Sequence, residues 1–431
     1  MTFTTESVIF RDANATIHTS VKDCLTEAGR FYGLLTVAAA HKSVIFGRQL
    51  DLTGSSSENH KDSSDLDYSV MKGKCIQALN RELRDSSQAF GRTAIKIVIH
   101  LIASSVSTKK KRVQSNTTTH LSVPNPQANN EQLILGFYVE AQTHLTGLRK
   151  MVELCGGLAS RGLRSPSLTH AIVWSDHKIA TGLMSKPIFT LPWEPAPLTA
   201  ELRQQICPSP SSHLTLLGSA FWNEHSSEFS QSLIHSVKKL RDTLYYQNLI
   251  MEQEREEKRD NQTYLFQLYK LIIEAEHDLL SYPFQISGNS CETSHTANLN
   301  SKEAMARMGC ICVFNSIVIV TPPAAGMGRS LTNFMKKSIC TFTDQYPFLQ
   351  FTIPDLNLLA WVLFIGAQGS LNQPEYTWFV SGLADVVKLR IWGNWADVVS
   401  ELQRYIFMPR VQDVIWRSIW EDAISVRDRR E

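Results

Sequence analysis

The sequence predicts an all-α protein, a large multi-helix domain of packed antiparallel helices. Three observations predict it. Apolar residues recur three and four positions apart along most of the chain, period-2 alternation over a useful length is hard to find, and the composition is that of a globular domain. Of 431 residues, 43% are hydrophobic and 19% charged. That is enough apolar material for a sizeable core and too little charge for a disordered chain. With 43 basic and 41 acidic residues the formal charge is +2, so the surface as a whole is not built to neutralise phosphates.

Residues 1–24 read as an N-terminal tail, and 25–427 as the helical domain. The opening MTFTTESVIF has no basic stretch leading into an apolar one, and is not a secretory signal. Residues 53–67 and 104–131 read as flexible loops, the second with a basic run, a Ser/Thr cluster, Pro124 and Pro126. It is either an exposed loop inside the domain or the translation of a retained intron. The clearest helix covers 133–155, where Ile134, Tyr138, Ala141, Leu145, Leu148 and Val152 form one stripe. Gly156-Gly157 ends it, because glycine takes the left-handed conformation cheaply. Ser165-Pro166 opens the next helix as cap and first-turn residue. Leu168, Ile172, Ile179 and Leu183 make its stripe, and Pro187 closes it.

Leu233, Val237, Leu240 and Leu244 mark a third helix, followed by the charged stretch 252–260. Leu265, Leu268, Ile272 and Leu279 resume the pattern up to Tyr282-Pro283, after which 285–301 reads as a polar loop. Helical patterns recur at 302–320, 328–345, 355–368, 375–391, 394–408 and 410–427. Trp361, Phe364 and Trp378 join the expected core. The longest apolar runs, 310–320 and 358–367, are too short to span a bilayer, so no membrane is expected.

Reactive constellations are scarce. Eight cysteines are scattered at 24, 75, 155, 207, 291, 310, 312 and 340, as free thiols rather than a disulfide framework. Cys310 and Cys312 point about 200° apart on a helix and cannot chelate one ion there. Ser175-Asp176-His177 holds the residue types of a hydrolytic triad, but neighbours on a helix face different ways. Asp176 shares the apolar face of Ile172 and Ile179, so its carboxylate needs a partner, for which Arg161, Arg164 or a helix N-terminus are candidates. Gly326-x-Gly328 lacks the preceding strand and further residues of a phosphate loop. His41, His100 and His144 lie singly in apolar segments and read as core histidines. No catalytic, metal or cofactor site is expected. Lys109-Lys110-Lys111-Arg112, in a polar segment, is a candidate nuclear localisation signal, set against a merely solvated basic loop.

The stretch from Ala141 to Gly157, with His144, Gly147, Leu148, Gly156 and Gly157, resembles the fungal-specific transcription factor domain. That family carries H-x-x-G-L-x-x-M-V followed by Gly-Gly, and then a helix with the order of Trp174, Asp176, Ala180, Pro187 and Phe189. Glu303-Ala304-x-x-Arg307, the run Trp361-Val-Leu-Phe-Ile-Gly366-Ala, then Trp378, Trp392 and Trp416 are similar in order, as is Ala78-Leu79-Asn80 with Leu83. The resemblance covers roughly 25 to 425. It implies an all-α regulatory domain of a fungal zinc-cluster transcription factor, with no catalytic residues. The implied location is the nucleus. The implied partners are proteins of the transcription machinery or a dimer partner, with a small-molecule effector as a further candidate. The six-cysteine zinc cluster that usually precedes the domain is not found in this sequence, so no sequence-specific DNA binding is expected of this chain alone. The competing reading is a helical metabolite-binding protein or enzyme with an apolar pocket.

Overall fold

A computed structural model describes residues 27–52, 62–85, 91–107, 126–160, 163, 165–209, 212–255, 262–286, 299–319, 326–345 and 350–430. Among these residues there are fifteen α-helices and no strand, so the chain is all-α. It divides into two compact units.

The first unit comprises the described residues of 27–194 together with 326–330. Its helices are α1 (Ala28–Leu52), α2 (Asp62–Arg84), α3 (Arg92–Ser107), α4 (Pro126–Leu154) and α5 (Pro166–Leu183). The stripe Tyr138, Ala141, Leu145, Leu148 and Val152 is buried, with Leu148 fully so. From Ala141 onward it meets Ile95, Val98 and Ile102 of α3 and Leu168, Ile172 and Ile179 of α5 in one apolar cluster closed by Phe189. The α1–α3 contact is set by small residues. A Cβ on Gly29 would stand 2.5 Å from Ile97 Cδ1, and one on Gly33 2.7 Å from His100 Nδ1. Across α2 and α4, Lys72 pairs with Glu140.

The second unit comprises the described residues of 195–319 and 331–430. It contains α6 (Ala200–Ile206), α7 (Ser219–Asn223), α8 (Gln231–Arg255), α9 (Gln262–Ile286), α10 (Ser301–Val313), most of α11 (Gly326–Gln345), α12 (Ile353–Gly369), α13 (Tyr376–Arg390), α14 (Trp395–Leu402) and α15 (Pro409–Asp428). Every residue of α12 from Asp355 to Gln368 is buried, because this helix is apolar all round. A complete capping box starts it, with Thr352 and Asp355 exchanging side-chain and backbone bonds. Around it lie aromatic rings. Phe364 stacks on Trp416 at 5.2 Å, and Trp361 on Tyr405 at 5.7 Å.

Several helix limits differ from the sequence reading. The expected loop 53–67 ends in helix, since α2 begins at Asp62. The loop 104–131 loses both ends, to α3 and α4. Ser104 and Ser105 are buried in the helix with their hydroxyls satisfied, each donating to the Leu101 carbonyl at 2.9 Å. Pro126 suits a first helical position, where its missing N–H leaves nothing unpaired. The remaining residues of both stretches, and of 1–24, lie outside the described ones. The helix read over 394–408 stops at Leu402. The carbonyls of Arg404, Tyr405 and Ile406 instead accept from Ala220 N, Gly218 N and Trp361 Nε1.

Proline does not end α9. The helix passes through Pro283 to Ile286. Proline lacks the N–H that would bond the carbonyl four residues back, that of Leu279. Arg307 Nε of α10 donates to that same carbonyl at 2.7 Å. A buried guanidinium thus supplies the bond that proline removes, and burial lowers its pKa. After Val313 the chain continues through one π turn, Phe314–Val318. Asn315 is accommodated there because its Nδ2 bonds the Ile311 carbonyl at 2.9 Å.

Candidate functional site

The described residues of the sequence motifs lie in both units, and most of them turn, cap or pack. Gly156 and Gly157 have φ of +90° and +87°. Gly157 N donates to Val152 O and Gly156 N to Glu153 O, the paired bonds of a Schellman turn. Asp176 is 1% exposed. Its two oxygens accept the backbone N–H groups of Ile188 and Phe189 at 3.0 and 2.7 Å. Burial raises its pKa and these two bonds oppose the rise. The carboxylate's partners are therefore backbone amides just after buried Pro187, in a loop and not at the helix N-terminus named as a candidate; Arg161 and Arg164 lie outside the described residues. Ser175 donates to the Ala171 carbonyl at 2.8 Å, so it and Asp176 do not form a catalytic chain.

His144 stands 3.5 Å from Glu140. The His144 bond, joined by Lys72, draws the Glu140 carboxyl down to about 2 against the cost of burial. Gly147 is exposed, and a Cβ there would meet nothing within 4 Å. Trp361 is fully buried and donates to the Ile406 carbonyl at 3.0 Å. A Cβ on Gly366 would stand 2.2 Å from the Phe379 ring. Trp378 departs from expectation, since it is only half-buried and the core position belongs to Phe379 beside it. The indole instead carries the Lys336 ammonium 5.1 Å from its ring centre. Lys109, Lys110, Lys111 and Arg112 lie outside the described residues.

Two further groupings escaped the sequence reading. His225, Glu228 and Asp355 place ligand-type atoms within 4.8 Å of one another. Lys302 Nζ already lies 2.6 Å from both Glu228 and Asp355, and His225 Nε2 meets the Tyr405 hydroxyl at 3.1 Å. The ammonium fills the cation role, so the cluster ties the starts of α10 and α12 to the turn before α8. Cys310 is buried, and burial pushes both the Cys310 and Cys312 thiols well up.

The second grouping is a half-open groove of about 620 Å³ in the second unit. One wall is a stripe of α8 in which His235, Lys238, Lys239, Asp242 and Tyr245 recur at helical spacing. It lies opposite the buried stripe of Leu233, Val237, Leu240 and Leu244. Leu271 and Glu274 of α9 form another wall, and α6 adds Arg203 and Ile206. Pro195 to Leu198 form a further side, where two prolines restrict the backbone. Tyr245 donates to the Leu214 carbonyl at 2.6 Å, and burial pushes its phenol up to about 12. Arg241 bonds Asp242 through two nitrogens at 3.0 and 2.8 Å, and Lys239 meets Asp278 at 2.5 Å. Arg203, His235 and Lys238 make no ion pair among the described residues. The charge run His-Ser-Val-Lys-Lys-Leu-Arg-Asp is visible in the sequence, but nothing in its spacing separates a solvated face from the wall of a groove.

No protein-family profile, no characterised protein and no solved structure matches this chain.

Proposed function

We propose that the chain is the helical regulatory domain of a fungal-type transcription regulator, acting in the nucleus by binding and not by catalysis. The observation that carries the reading is Asp176. It is the carboxylate of the motif helix, and it is fully engaged by the amides of Ile188 and Phe189. Five more motif residues turn, cap or pack, namely Gly156, Gly157, Leu148, Trp361 and Gly366. A set of residues that builds a scaffold and carries no reacting group supports a regulatory module over an enzyme. Its partners on this reading are proteins of the transcription machinery or a dimer partner, with sequence-specific DNA contact left to another module.

The test is a reporter assay in yeast with the chain fused to a heterologous DNA-binding domain. Output should change relative to that domain alone, and a fluorescent fusion should accumulate in the nucleus until Lys109, Lys110, Lys111 and Arg112 are changed together to Ala. A fusion that leaves the reporter unaltered and stays cytoplasmic would sink the proposal.

The groove favours a second reading, a helical protein that binds a metabolite. Its volume of about 620 Å³ falls within the ~300–1,000 Å³ typical of small-molecule sites. The two readings are compatible when the metabolite is an effector.

A further inference from the structure

We infer that the groove between α6, α8 and α9 is a binding site for a small organic acid with an apolar body, the acid group held by Arg203 and Lys238. The inference deepens the regulatory reading by naming the class of effector, and rests on it for biological purpose but not for binding.

The charge balance inside the groove selects an anion. Four cationic side chains line it, Arg203, Lys238, Lys239 and Arg241, against two carboxylates, Asp242 and Glu274. Asp242 is already taken by Arg241, and Lys239 is taken by Asp278. Arg203 and Lys238 pair with no carboxylate among the described residues, Lys238 lying 5.6 Å from the centre of the Trp222 ring, and both are exposed at the groove. Arg203 stands on α6 and Lys238 on α8, so the acid belongs at the α6–α8 side. The buried surfaces of Ile206, Tyr245 and Leu271 receive the apolar body. Size makes the same selection, because a bare phosphate would leave most of about 620 Å³ unfilled. Orientation follows, head toward Arg203 and Lys238 and tail toward Leu271.

Cys207 is exposed and lines the groove, which makes it a local reporter. The purified full chain is treated with N-ethylmaleimide with and without decanoate, and each cysteine's alkylation is followed by peptide mass spectrometry. Decanoate should slow Cys207 several-fold and leave Cys155 and Cys340 unchanged. In parallel, 8-anilinonaphthalene-1-sulfonate bound to the chain should be displaced by decanoate and not by decan-1-ol. The paired change Arg203→Glu with Lys238→Glu should weaken decanoate by at least roughly tenfold, whereas Lys336→Glu, beside Trp378, should not. Equal binding of acid and alcohol, unprotected Cys207, or an unaffected double variant overturns the inference. Duplex DNA that binds through the same two cations in the absence of any decanoate effect also overturns it. A chain inert in the reporter assay that still binds decanoate at Cys207 leaves this inference standing and removes the regulatory reading.

Discussion

Two glycines of the same motif set differ in their surroundings, one with no room for a Cβ and the other facing open space. Gly366 sits on α12 where the Phe379 ring passes within 2.2 Å of an added Cβ. Neither the ring nor the fully buried helix can withdraw cheaply. Gly366→Ala is therefore expected to destabilise by about 1–3 kcal/mol. Gly147, on the exposed face of α4, faces open space. Gly147→Ala should stabilise by roughly 0.5–1 kcal/mol, because alanine loses less backbone entropy in a helix. Urea unfolding of the two variants checks both signs together. A destabilising Gly147→Ala would mean that something covers this face in the intact protein. At the same scale, Ile391 ends α13 with φ of +55° while 88% exposed, a conformation costly to a β-branched side chain.

At the level of single helices, Arg307 and His100 show how a polar group in a core is decided by its neighbour. Arg307 bonds the carbonyl that Pro283 leaves unpaired. Arg307→Met keeps the length and removes the donor, and should cost about 1.5–3 kcal/mol. Pro283→Ala restores the backbone bond, so the double variant should recover part of the loss. Complete additivity in the urea midpoints would separate the two residues. His100 of α3 is pressed against Gly33, and burial, then Arg30 and Lys96, lowers its pKa from 6.5 to about 4. The folded state thus holds the ring neutral where the unfolded chain takes up a proton. Stability is present above pH 6.5 and is lost as pH falls toward about 4, by on the order of 2–3 kcal/mol. A lower window, from 4.5 to about 2, belongs to Glu140. Urea midpoints that do not fall between pH 7 and 4.5, or that fall equally in His100→Leu, would refute the assignment. Periodicity made the helices legible, since i, i+3, i+4 burial is a local property. It could not reveal the Arg307–Leu279 bond or the groove. Both depend on residues brought together by packing, and the polar face of α8 has no periodic signal that separates a solvated stripe from a binding wall.

Across the whole molecule, each unit carries a core of its own. The first closes around Leu148, Ile172 and Ile95, and the second around Trp361, Phe364 and Trp416. Seven of the nine tryptophans belong to the second unit, so tryptophan emission reports mainly on that unit while far-UV circular dichroism reports on both. Leu148→Asp buries a charge with no partner at a fully enclosed position, a change large enough to unfold the first unit. Because the second core contains no residue of α4, its aromatic stacks should survive the change. Leu148→Asp is thus expected to lose part of its helical dichroism at low urea while tryptophan emission holds near the wild-type midpoint. Coincident loss of both signals would mean that the units fold as one cooperative body. An unchanged dichroism transition would remove Leu148 from the core.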